Sequence, residues 1–298
     1  MSTEVKVTYF HHSGFTVAVD KTLLVFDYWR GEEKPLRESE CLNAKDLAGF
    51  DRVLFFVSHE HPDHYDPVIY DFENLPGVSY IIADDMPKEA KGIRMAEGNR
   101  KKFGEVIVTA FGSTDPGVSW YVEIGGVHIF HAGDLNLWHW REESSAREIL
   151  YAEEAFYRKV EAIAGLPIDL CMFPLDPRMR RMYEAGANHF IMTCKPRIFI
   201  PMHWQGRTEI ANDFARRCRT KFTTGIALTQ PREYAEISYG DTAITVNLCL
   251  AGTGDEVPVR RRADEKKTPV NPLPQDDPFA GSDLPVDRIA EEMQREKK

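Results

Sequence analysis

Between positions 59 and 64 the chain reads His59-Glu60-His61-Pro62-Asp63-His64. Three imidazoles and a carboxylate packed this closely are the ligand types that suit zinc, iron and manganese. Neutral histidines gain nothing from crowding together in an apolar core, so the run needs a shared partner. A lone H-x-H is a weak signal, but H-x-H-x-D-H behind an apolar strand is a specific one. Residues 53–57, Val-Leu-Phe-Phe-Val, are continuously apolar, as in a strand buried on both faces. Pro62 stops an ordinary strand from continuing. The ligands then fall on a tight loop at the strand's end, where alternating side chains converge. Surface loop histidines are the weaker reading.

The elements that must position this loop are legible as patterns. Strand-like runs occupy 5–10, 15–19, 22–28, 79–83, 105–110, 119–124 and 127–131. Turn signals stand at Ser13-Gly14 and Asp20-Lys21, and a hairpin is expected across Gly125-Gly126. From 144 to 164 the period is helical, with Ser144 or Ser145 as N-cap and a stop at Gly165 and Pro167. Strand 168–173, helix 182–194, strand 197–200, helix 208–219 and strand 243–250 follow. Two packed sheets with helices outside satisfy every apolar face in this order.

The 298 residues are 43% apolar and 28% charged, as in globular proteins. A chain this long buries about three quarters of its unfolded surface and needs no disulfides. Its five cysteines are scattered, odd in number and without a C-x-x-C pair, so they read as reduced thiols. A net charge of −10 argues against a nucleic-acid partner. It leaves a small anionic substrate open, because a metal inverts the local charge. The N-terminus lacks a basic segment followed by an apolar one, and no apolar run approaches ~20 residues. No membrane partner and a cytoplasmic location are therefore expected. The domain is expected to span 1–254, with 255–298 a charged, Pro-rich tail that is either draped on the domain or a partner subunit, or disordered. Homo-oligomerisation stays open.

The H-x-H-x-D-H run resembles the signature of the metallo-β-lactamase superfamily. The resemblance reaches over residues 5–219 and is nearest to the branch of hydrolases that includes ascorbate-6-phosphate lactonase. His12-Ser13-Gly14-Phe15 is similar to that branch's opening element, and Leu23-Leu24-Val25-Phe26-Asp27 to its next strand. His131-Ala132-Gly133-Asp134 and Ile200-Pro201-Met202-His203 are similar to its later ligand motifs. The resemblance implies an α/β (α+β) fold class, a four-layer αββα sandwich. It also implies two neighbouring metal positions holding zinc as one or two ions, with manganese and iron as alternatives. His59 and His61 serve the first, Asp63, His64 and His203 the second, and Asp134 bridges them.

One departure stands out. Where the family places a third histidine for the first metal, this chain has Ala110-Phe111-Gly112-Ser113-Thr114-Asp115. The first position is then empty, or recruits Asp115 or Ser113, or takes His139 from the run Leu137-Trp138-His139-Trp140. Asp27 is expected to orient a ligand histidine, as such acceptors usually do. The bland alternative is a turn aspartate. His12 either lines the site or caps a turn. Trp138 and Trp140 either wall a substrate pocket or pack the core. Arg178, just beyond a buried strand, either holds an anionic substrate group or closes a loop salt bridge. His11, His128 and His189 read as structural or surface residues.

The expected chemistry is metal-assisted hydrolysis of a small ester, lactone or phosphodiester. Asp63 is expected to bind metal and to orient the attacking water or accept its proton. The chain has no G-x-S-x-G elbow or P-loop to supply another mechanism. β-Lactam hydrolysis and RNA processing are disfavoured by the lack of an export signal and by the acidity. Two rival classes remain. One is a non-catalytic or regulatory metal-binding protein, motivated by the absent histidine. The other is an iron oxidoreductase, disfavoured because position 61 is His and no flavin domain is visible.

Overall fold

The computed structural model describes residues 2–240, residues 244–250 and the backbone of 253–259. Strands β1 (Thr3–Tyr9), β2 (Phe15–Val19), β3 (Thr22–Phe26), β4 (Arg52–Val57), β5 (Val78–Ala83) and β6 (Ile93–Met95) come first. Next are β7 (Arg100–Phe103), β8 (Val106–Gly112), β9 (Val118–Ile124), β10 (Val127–His131), β11 (Leu170–Pro174), β12 (Ile198–Met202) and β13 (Thr224–Gly225). The last are β14 (Tyr234–Tyr239), β15 (Ile244–Leu250) and β16 (Thr253–Val259). Two sheets result. One runs β16-β15-β14-β1-β2-β3-β4-β5-β6 and the other β13-β12-β11-β10-β9-β8-β7. The boundary expected at 254 falls inside β16, and residues 260–298 lie outside the described ones.

The sheets face each other through aromatic side chains. Phe26 of β3 stacks on His131 of β10 at 5.0 Å, and Phe56 of β4 meets Trp120 of β9 at 5.5 Å. Alternation sends Phe55 to the outer face, where it stacks on Phe72 at 5.8 Å. The continuous apolar run of β4 is thus buried on both faces, as its sequence predicts.

Helices α2 (Ala146–Ile163), α3 (Ala185–Cys194) and α4 (Thr208–Arg217) cover the second sheet, α2 along β8 and α4 along β12 and β13. Over the first sheet the outer layer is thin. It consists of the one-turn helix α1 (Ala44–Leu47) and 3-10 turns that bury Leu47, Ile69 and Phe72. Ser145 caps α2 in a box with Glu148, the backbone amide of each bonded to the side chain of the other. The expected hairpin forms across Gly125 and Gly126, both at positive φ, pairing Ile124 with Val127. Helix α3 starts at Ala185 rather than 182, after a 3-10 turn over Pro177–Met182. Among the described residues no helix is long and apolar enough to cross a membrane.

Within the first sheet β3, β4, β5 and β6 run parallel, and within the second β10, β11, β12 and β13 do. Parallel strands gather their carboxyl ends at one edge, where open α/β sheets bind ligands. Asp27, the 59–64 run, Asp134, Asp176 and His203 all follow directly on such strands.

Candidate metal centre

Strand β4 ends at Val57, and Ser58 is the hub from which the site is built. Its amide donates to Asp27 Oδ1 at 2.8 Å and its hydroxyl to Asp27 Oδ2 at 2.6 Å. Ser58 Oγ also lies 2.9 Å from His59 Nδ1. Two glycines let other segments close on it. A Cβ at Gly117, where φ is +83°, would sit 1.9 Å from the Ser58 carbonyl oxygen. A Cβ at Gly133, where φ is +53°, would sit 2.8 Å from Ser58 Cβ. Glycine alone fits such approaches. Gly117 brings the β8–β9 turn, and with it Asp115, onto the metal run. Gly133 does the same for Asp134.

The side chains gather in two clusters. In one, His12, Asp63, His64 and His203 each offer a ligand atom, all within 4.8 Å of one another. In the other, His59, His61, Asp115 and Asp134 do the same. Asp134 stands between them. Its Oδ1 is 3.0 Å from His64 Nε2 and 3.4 Å from His203 Nε2, while Oδ2 is 3.6 Å from His59 Nε2.

One outward-turned ring nitrogen is fixed from behind: His64 Nδ1 donates to Asp27 Oδ2 at 2.7 Å. Asp176 Oδ2 lies 2.9 Å from His203 Nδ1, close enough for a charge contact but without the angle of a hydrogen bond. The carboxylate behind His64 holds a proton on Nδ1 and turns Nε2 toward a cation. The backbone is wound tightly here, since His12, Asp27 and His203 all have positive φ, at 54°, 40° and 59°. Such strain concentrates at functional sites. It also ends β3 at Phe26, one residue before Asp27.

A cation fits this arrangement. His12 Nε2, His64 Nε2, His203 Nε2 and Asp134 Oδ1 are buried and have no hydrogen-bond partner. His64 Nε2 and Asp134 Oδ1 approach to 3.0 Å, yet the angle between them is wrong for a hydrogen bond. Unpaired polar atoms at such depth cost about 1–3 kcal/mol each unless something satisfies them.

The electrostatics agree. Burial, helped by neighbouring His203, pushes the His12 imidazole down to about 3. Burial and His64 push His59 down to about 4. Both rings are therefore neutral and able to ligate. His64 goes the other way: burial opposes its charge, but Asp134 and Asp27 outweigh burial and hold that ring well above its ordinary value, so a cation bound between them would have to displace the proton on Nε2. Burial opposes ionisation of Asp63 and Asp134 too. The surrounding histidines prevail and hold both carboxyls well below the usual range. Asp115 moves the other way, pushed up to about 6 by burial and by the charge of Asp134.

The six residues expected to hold metal come together, and Asp115 joins them 3.5 Å from His61 Nδ1. His12 lines the site, 3.1 Å from Asp63. Asp27 is the orienting acceptor. Trp138 walls the second cluster, its ring 5.8 Å from that of His203 and its indole donating to the Asp134 carbonyl at 2.7 Å. Trp140 stacks on Trp138 and is exposed. Arg178 forks onto Asp176 through Nε at 2.9 Å and Nη2 at 2.5 Å, so the loop salt bridge is present. Half of that side chain is exposed, and it feels the charges of Asp63 and Asp134.

One expected position stays apart. His139 is buried yet belongs to neither cluster, and neither of its ring nitrogens has a hydrogen-bond partner. The Ser113 hydroxyl accepts from the Asp115 amide at 3.3 Å. Sequence reading missed Ser58, Asp176 and His131. The last is a rivet: Nε2 donates to the Ser13 carbonyl at 2.9 Å, and Nδ1 accepts from the Gly133 amide at 3.2 Å. Only the strand-end position of Ser58 and Asp176 hinted at their part.

Comparison with known proteins gives the same fold. A metal-dependent hydrolase of the UPF0173 group from Thermococcus onnurineus is 24% identical over 70% of this chain and 88% of its own length. Another from Thermococcus kodakarensis is 25% identical over 78% of this chain and all of its own. Among solved structures, Igni18, a metallo hydrolase from Ignicoccus hospitalis, superposes with a TM-score of 0.58 at 19% identity, covering 80% of this chain and 99% of that one. CmlA, a diiron β-hydroxylase from Streptomyces venezuelae, reaches 0.51 at 13% identity, over 77% of this chain and 53% of that one. The profile of the beta-lactamase superfamily domain matches residues 6–203, from β1 to the last histidine of the site, and the chain belongs to that superfamily.

Proposed function

We propose that this chain is a metal-dependent hydrolase acting on a small ester, lactone or phosphodiester. The observation that carries the reading is Asp134, whose two oxygens face two separate ligand clusters. His59 and His61 would hold one ion, Asp63, His64 and His203 the other, and Asp134 both. Imidazole with carboxylate suits zinc first, with manganese and iron as alternatives. Metal held there acidifies water and polarises a carbonyl or phosphoryl oxygen.

The chain's own residues do the rest. Asp63 is ionised and 30% exposed, so it can orient a water or take its proton. Trp138 offers a flat wall to an apolar part of the substrate. Arg178, half exposed beside Asp63 and Asp134, offers a positive charge to an anionic group. The names of the Thermococcus relatives support the activity. Asp115 beside His61 supplies the donor whose absence had motivated a non-catalytic role. A net charge of −10 supports a small-molecule substrate rather than nucleic acid or an anionic membrane.

The test is hydrolysis of nitrophenyl acetate, a simple lactone and bis-nitrophenyl phosphate by protein loaded with zinc or manganese, compared with Asp134→Asn. Activity lost at least 100-fold in the variant supports the reading. Equal turnover by the variant, or none on any substrate by metal-loaded protein, overturns it.

A further inference from the structure

Resting on that reading, we propose that the two metal positions are chemically unequal: Asp115 completes a more exposed, carboxylate-rich site, and His12 adds a further protein ligand to a more buried, imidazole-rich one. Two carboxylates and two imidazoles meet in the cluster of His59, His61, Asp115 and Asp134. Its His61 and Asp115 side chains are 44% and 30% exposed. Three imidazoles and one carboxylate meet in the cluster of His12, Asp63, His64 and His203, where all three rings are buried.

Position 112 aims a side chain away from the first of these. A Cβ built on Gly112 points into the Glu97–Lys159 ion pair, 2.5 Å from Lys159 Nζ. Neither residue of that pair belongs to a cluster. The nearest donor the β8–β9 turn does present is the Asp115 carboxylate, placed by the docking of Gly117 against Ser58.

At the other position, His12 Nε2 is buried without a hydrogen-bond partner. It lies 3.1 Å from Asp63 Oδ2, and its ring centre is 3.9 Å from that of His203. A backbone bond from the His203 amide to the His12 carbonyl, 3.3 Å long, clamps the two loops together. With Asp134 Oδ1 close by, this position is the more buried of the two, Asp63 alone among its donors being partly exposed. Closed sites retain metal, whereas catalytic ones keep an open coordination position. Oxygen-rich ligation also favours harder cations such as manganese. The more buried site therefore retains its ion, and the Asp115 site exchanges its ion.

The experiment is metal titration of the full chain with zinc and with manganese. It is followed by calorimetry, and by elemental analysis after dialysis against a weak chelator. Wild type is expected to bind two ions at affinities at least tenfold apart and to retain one through dialysis. Asp115→Ala is expected to lose the weak ion alone. Asp115→His restores it with a shift toward zinc, whereas Gly112→His added to Asp115→Ala does not. His12→Ala is expected to weaken the tight ion at least tenfold. Circular dichroism of each metal-free variant verifies folding. Two ions of equal affinity, an Asp115→Ala variant that keeps both, or a His12→Ala variant within twofold of wild type at the tight site each overturn the proposal while leaving the hydrolase reading intact. Failure to bind any ion overturns both.

Discussion

Asp27 Oδ2 accepts both the Nδ1 proton of His64, at 2.7 Å, and the hydroxyl proton of Ser58, at 2.6 Å, while Oδ1 accepts the Ser58 amide. All of its partners are donors. In Asp27→Asn the amide NH2 must face one of them, whichever way it turns. His64 then loses its fixed orientation, and removing such a partner typically costs 10- to 100-fold in metal affinity. A chelator-competition titration of Asp27→Asn is expected to show that loss, and affinity equal to wild type would refute it.

Metal also couples to folding. Its candidate ligands come from the β1–β2 turn, the loop after β4, the β8–β9 turn and the ends of β10 and β12. No unfolded chain holds them together, so binding stabilises the native state, by about 4 kcal/mol at a thousandfold excess over Kd. Chelator is expected to lower Tm by several degrees, and added zinc to restore it. A Tm indifferent to both would count against the site.

Gly117 is a structural test of the site's assembly. An alanine there meets a carbonyl at 1.9 Å and must adopt φ of +83°. The strain and overpacking together are expected to cost about 2–4 kcal/mol. Urea unfolding measures the cost, and Gly49→Ala, at positive φ but with open space around it, is the control. Equal losses at the two positions would show that the close approach to Ser58 is unimportant.

Far from the metal, Asp169 ties strands β10, β11 and β12 together, accepting from the His128 amide at 2.9 Å and from Arg197 Nη1 at 2.8 Å. Burial alone would raise its pKa, but His128 and Arg197 outweigh burial and hold it below the ordinary 3.8. A carboxyl depressed in the folded state stabilises fully above its unfolded value and loses that contribution as pH falls through its folded one. Asp169→Asn is expected to cost about 1.5–3 kcal/mol at pH 7. The gap to wild type should narrow as pH drops below 3.8. Urea midpoints across this range measure it, and a gap independent of pH would exclude the charge as its cause.

Much of this architecture is legible in the residues. The buried run of β4, the Gly125-Gly126 hairpin, the Ser145 cap and the metal-binding run each carry a local signal. So do Asp134 and His203, which sit directly after apolar strands. Residues that act through distant partners were hidden. Ser58 finds Asp27 31 positions away, and His131 finds Ser13 118 positions away. Polarity in a sequence does not name a partner. Short edge strands escaped for another reason. Strands β6, β7 and β13 have two to four residues, too few to display a period. Strand β14 did alternate, Tyr-Ala-Glu-Ile-Ser-Tyr, and was overlooked among the turn residues before it.

The Glu97–Lys159 pair beside Gly112 decides what a side chain there would meet first. A histidine placed at 112 would start toward that salt bridge rather than toward the two ligand clusters. Bringing its ring to them would take a re-aimed strand end as well as a displaced ion pair. What the β8–β9 turn gives to the site thus depends on where β8 stops as much as on which residues the turn carries.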